Sequence, residues 1–84
     1  MNNLAEKLAA IREELMYTIQ TFAMKLNLNG YRVSKHAVEM YESGKCEPPV
    51  SYLTALVHIL NVNPYFLLSD KSDVFIPYFD KQAA

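Results

Sequence analysis

One stretch limits what this chain can fold into more than any other: Val33-Ser34-Lys35-His36-Ala37-Val38-Glu39-Met40-Tyr41-Glu42-Ser43-Gly44-Lys45. It reads as a short helix with a hydroxyl cap in front and a glycine stop behind. Ser34 can accept a hydrogen bond from the first unsatisfied backbone N–H groups. Gly44 supplies the left-handed backbone that ends a helix cheaply, and Lys45 follows near the negative helix end. At about 100° per residue, Ala37, Val38 and Tyr41 share one side of the wheel. Lys35, His36, Glu39, Met40 and Ser43 share the other. The first side is material for a core, and the second is hydrogen-bonding material held out to a partner.

The flanking segments supply that core. Leu4 to Met16 is predicted to be the first helix, with Leu4, Leu8, Ile11 and Leu15 on one stripe and Glu6, Lys7, Glu13 and Glu14 on the wet side. Thr18 opens a second helix to about Leu26, with Ile19, Phe22, Ala23 and Leu26 as its apolar face. Asn29-Gly30 is the strongest break in the turn that follows. After Cys46-Glu47-Pro48-Pro49, proline can occupy the first turn of a fourth helix in which Leu53, Leu56, Val57 and Leu60 recur. Asn63 caps a short fifth helix, with Pro64 at its first position and Tyr65 to Leu68 completing it. Val74-Phe75-Ile76-Pro77-Tyr78-Phe79 is apolar, aromatic and interrupted by proline, which predicts an extended arm. The expectation is an all-α fold of five helices over residues 1–69, and a C-terminal arm over 70–84 as a dimerisation segment.

A chain of 84 residues favours one domain, near the lower limit of a self-sufficient core. Its 51% hydrophobic and 12% aromatic content exceeds what so small an interior can hide, which points to a partner. A single cysteine allows no internal disulfide, and with no signal segment evident the expected location is the reducing cytoplasm. No apolar run approaches the ~18 residues of a membrane span. Net charge is −1, and the residues up to Leu68 carry six Lys/Arg against six Asp/Glu. A strong basic excess is the usual footprint of nucleic-acid binding, so any such contact here needs a local patch or a dimer that doubles it.

The order and spacing of these elements resemble the Cro/repressor-type (xenobiotic-response-element type) helix-turn-helix family over about residues 4 to 69. The family pattern has an aliphatic residue, two variable residues, an aromatic or leucine, then Glu, a small or polar residue, Gly and Lys. It is met here by Val38, Glu39-Met40, Tyr41, Glu42, Ser43, Gly44 and Lys45. Asn61-Val62-Asn63-Pro64-Tyr65-Phe66-Leu67-Leu68 matches the pattern that ends the family's later helix pair, and Ile11 to Leu15 resembles its first helix. The resemblance implies a transcriptional regulator that binds double-stranded DNA, by default a repressor, with no cofactor and no catalysis.

Carried over by position, the helix from Ser34 to Ser43 would lie in the major groove. Lys35 and His36 then occupy base-reading positions, with Glu39 and Met40 as further base contacts to a cytosine amino group and a thymine methyl. Thr18, Gln20, Arg32, Ser34 and Lys45 are the expected contacts to the DNA backbone. Arg12 and Glu42 match residues that form a partly buried ion pair between the first and third helices of relatives. Two departures stand out. Ile19 holds the position where the family often has glutamine. The turn before the third helix is also about five residues longer than the usual family turn. Its extra residues, Asn27 to Tyr31, admit four readings: a DNA-backbone contact, a lengthened helix end, a protein-binding surface or a tolerated insertion.

Other chemistry has little support. Cys46, His36 and His58 lack the paired spacing of a metal site, and nothing specifies a base for Cys46 as a nucleophile. Val74, Phe75, Ile76, Tyr78 and Phe79 form an apolar cluster that must fold back over its own helices or pack on a second copy. A homodimer is the favoured reading, with two recognition helices about 34 Å apart on a near-palindromic operator. The competing expectation is a protein-interaction module, an adaptor or antitoxin, on the same fold.

Overall fold

A computed structural model describes residues 4–68 and Phe79. The described residues form five helices and no strand: α1 (Leu4–Glu14), α2 (Ile19–Leu28), α3 (Lys35–Ser43), α4 (Val50–Leu60) and α5 (Pro64–Leu68). The chain is all-α in the described region, and α3 packs against both α1 and α2 while α5 packs on α1. Leu8 and Ile11 of α1, Phe22 and Leu26 of α2, Val38 of α3, and Tyr52 and Leu56 of α4 are essentially sealed from solvent. Val62 and Leu67 close the same cluster from the α5 side.

The helix ends follow local chemistry. The Thr18 hydroxyl accepts from the Thr21 N–H at 3.1 Å and the Ser34 hydroxyl from the Ala37 N–H at 3.0 Å, each satisfying a donor that the helix start leaves open. Gly44 ends α3 with φ 80°, a left-handed conformation that costs glycine nothing. Pro49 is the cap of α4 and not its first residue: its carbonyl accepts from the Tyr52 N–H at 3.0 Å. The Asn63 side chain accepts from the Tyr65 N–H at 2.9 Å ahead of α5.

Three expectations are corrected. α1 stops at Glu14, because Met16 turns left-handed (φ 61°) and the Tyr17 N–H returns to the Arg12 carbonyl at 3.2 Å. Lys7 is buried at 7% exposure instead of lying on the wet face. The α5 packing covers its stem and holds its ammonium 5.5 Å from the centre of the Phe66 ring, a cation–π arrangement. α2 runs on to Leu28, so part of the long turn is a lengthened helix end.

Of the predicted arm, Phe79 is half-buried against the core of its own chain and pairs antiparallel with Val62. Val74, Phe75, Ile76 and Tyr78 lie outside the described residues, as does most of the proposed dimerisation segment.

Candidate nucleic-acid interface

α3 stands between a buried face and an open one. Val38 is fully buried, and Ala37 and Tyr41 are half-covered. Lys35, His36, Glu39 and Ser43 are exposed, whereas Met40 is only half-exposed. The Met40 carbonyl accepts from the Ser43 hydroxyl at 3.1 Å and from the Lys45 and Cys46 N–H groups at 3.1 and 3.3 Å. These bonds fold the loop back under the C-terminal end of α3 and leave the Lys45 side chain exposed.

Glu42 fixes α3 to the scaffold. Arg12 Nε donates to both Glu42 oxygens, at 3.0 and 2.9 Å, and Arg12 Nη1 donates to the Tyr17 carbonyl at 2.7 Å. The two side chains retain 15% and 7% exposure. The hydrogen bond that Arg12 donates to Glu42 is the main reason that its guanidinium is held above its ordinary pKa; burial opposes it and the Glu42 and Glu13 charges assist. A charged pair made in this way is costly to break, because either partner alone is stranded away from water.

On the α2 side, Thr18 and Gln20 are exposed at the helix start. Gln20 and Lys35 line one groove between α2 and α3, together with Ala23, Met24, Asn27, Leu28 and Val33. The fold therefore brings a candidate backbone contact and a candidate base reader to one surface. Arg32 is exposed in the turn. Ile19 is half-buried against the core, so it offers no polar group at the position where the resemblance expects glutamine.

Near-neutral overall charge conceals a division along the chain. Exposed Glu6, Glu13 and Glu14 all lie on α1. From α2 to the loop after α3 come four exposed cations, Lys25, Arg32, Lys35 and Lys45, against exposed Glu39 and Glu47 and the already paired Glu42. That segment can attract phosphate locally, although the whole chain carries net charge −1.

The sequence reading overlooked two parts of this surface. The Asn27 side chain donates to the Ala23 carbonyl and the Val33 carbonyl, both at 2.7 Å. Tyr31 lays its ring 6.0 Å from that of Tyr52 and brings its hydroxyl 3.0 Å from the Ser51 hydroxyl. The Asn and Tyr residue types hint at turn bracing, but their partners are set by the tertiary fold. Among the described residues no group of His, Cys, Asp or Glu side chains is arranged to hold a metal ion, and Cys46 is an exposed free thiol. No described helix is long and apolar enough to cross a membrane.

A sequence model of the family described as Helix-turn-helix matches residues 8–67. No curated protein and no solved structure matches the chain.

Proposed function

Because the chain belongs to the Cro/repressor-type helix-turn-helix family and is thereby a DNA-binding regulator, we propose that it is a sequence-specific repressor that occupies a near-palindromic operator as a homodimer. The observation that carries this reading is the presentation of α3. Its ends are capped, its inner face is sealed by Val38 and pinned by the Arg12–Glu42 pair, and Lys35, His36 and Glu39 project from it. A helix held this firmly can place donors and acceptors at base edges without first paying to order itself.

In this reading Lys35 and His36 read bases, Glu39 adds an acceptor for a cytosine amino group, and Met40 makes a marginal apolar contact from its half-exposed position. Thr18, Gln20, Arg32, Ser34 and Lys45 position the backbone. The Ser34 oxygen is engaged by the Ala37 N–H, and its own hydroxyl proton remains a donor for a phosphate. Exposed Val50, Tyr65 and Leu68 on α4 and α5 support a self-association surface.

Selection of bound sequences from random duplex DNA, followed by salt titration of the winners, tests the proposal. Absence of enrichment at low and moderate salt would refute it. Lys35→Ala should relax preference at one base position, and Lys45→Ala should weaken all sequences alike while lowering the salt slope by about 0.9. Sedimentation of the full chain should give a dimer, and a monomer at the concentration that saturates DNA would remove the two-fold operator.

A second reading, a protein-interaction module such as an adaptor or antitoxin, draws support from the apolar Ile19 and from exposed Met16, Met24 and Leu28. It requires that selection yield no preferred DNA sequence.

A further inference from the structure

We propose that the long turn between α2 and α3 is a strut that sets the orientation of the recognition helix, with Asn27 as its positioning residue. This rests on the DNA-reading role given to α3 above. Asn27 lies on the last full turn of α2, and both hydrogens of its side-chain amide are engaged. One goes to Ala23 within α2, the other to Val33, the residue just ahead of the Ser34 cap, each at 2.7 Å. A single amide therefore ties the end of one helix to the start of the next across the whole insertion.

The remaining turn residues are fixed as well. The Tyr31 N–H donates to the Leu26 carbonyl at 2.9 Å and the Asn29 side chain to the Lys25 carbonyl at 2.8 Å. Gly30 takes φ 98° with open space around it. Tyr31 rests on Tyr52 of α4, whose ring lies 4.7 Å from that of Tyr41 in α3. The turn thus reaches α3 along two routes, one through Asn27 and Val33 and one through the three tyrosines. An unbraced insertion of this length would let the start of α3 wander, and base-edge hydrogen bonds tolerate only a fraction of an ångström of misplacement. Phosphate contacts made by long cations are more forgiving.

Asn27→Ala removes both bonds and leaves a better helix former at an exposed helical site, so the scaffold should keep its melting temperature. The expected result is a loss of about tenfold in the ratio of specific to non-specific DNA affinity, the worth of about one such tie, with the salt slope unchanged. Backbone amide NMR of the free protein gives a readout independent of DNA. Amides from Val33 to Ala37 should shift and exchange faster in Asn27→Ala, while those of α1 stay in place. Tyr31→Phe, which keeps the ring and drops the Ser51 bond, should cause a smaller change in the same amides.

Unchanged amides from Val33 to Ala37 would overturn the strut even if the wild type binds its operator. Equal loss of specific and non-specific affinity would overturn it too, by showing that Asn27 acts as a DNA contact. Failure of the wild type to select any sequence would overturn the repressor reading instead, and with it the DNA consequence of the strut.

Discussion

Replacing Arg12 by methionine removes the charge while keeping an unbranched stem to fill its volume. Three hydrogen bonds go with it: two from Nε to Glu42 and one from Nη1 to the Tyr17 carbonyl. The Glu42 carboxylate, only 7% exposed, is left without its counter-ion. Breaking one partner of a fully buried pair costs roughly 3–5 kcal/mol, and the 15% exposure of Arg12 lowers the expectation to about 2–4 kcal/mol. A domain of this size has about 4–12 kcal/mol in total, so the loss should be plain in urea unfolding followed by helical circular dichroism. Adding Glu42→Leu should recover most of it, since two apolar side chains strand no charge. The raised Arg12 pKa adds a sign. Its contribution is complete below the ordinary arginine value and is lost only as pH rises through the higher folded value, so the arginine adds no pH dependence near neutrality. A cost below about 0.5 kcal/mol would refute the reasoning, because it would mark the pair as one that water already screens.

Tyr52 makes the opposite case. Its hydroxyl is buried and meets no hydrogen-bond partner among the described residues, so Tyr52→Phe should leave stability unchanged or raise it by about 1–2 kcal/mol in thermal melts. Burial, more than the nearby Glu42 charge, pushes the phenol above its ordinary pKa of 10.0. Stability of the wild type should therefore fall as pH rises beyond about 10, and the advantage of the phenylalanine variant should widen there; parallel curves would contradict this. Ser34→Ala should cost about 1 kcal/mol by freeing the Ala37 N–H, and Ser34→Gly should cost less, in the same urea assay. Gly44→Ala should lose about 1–2 kcal/mol from the left-handed backbone alone, because the new methyl would meet only the Ala5 side chain at an ordinary 3.7 Å.

Charge illustrates how composition can mislead about a surface. A net charge of −1 argues against a polyanionic partner when the chain is treated as a point. Resolved along the helices, the exposed acids of α1 stand apart in sequence from the four cations between α2 and the loop after α3, whose own acids are exposed Glu39 and Glu47 and the already paired Glu42. Screening over about 8–10 Å makes the local arrangement the relevant one for a phosphate backbone.

The sequence by itself determined the number of helices, their order, and which face of α3 is buried. Those properties depend on contacts three and four residues apart and on caps such as Thr18, Ser34 and Gly44, which act within a single turn. What only the tertiary structure decided is whatever depends on residues distant in the chain. Lys7 belongs to the wet stripe of α1 by its own periodicity, yet the packing of α5 draws its stem inward and sets its ammonium over Phe66. The insertion from Asn27 to Tyr31 admits several readings as a string of turn-forming residues. It becomes a braced element because Tyr52, twenty-one residues beyond Tyr31 in the chain, stands where Tyr31 and Tyr41 can both reach it. Local chemistry thus shaped α3, and long-range packing fixed how it is held.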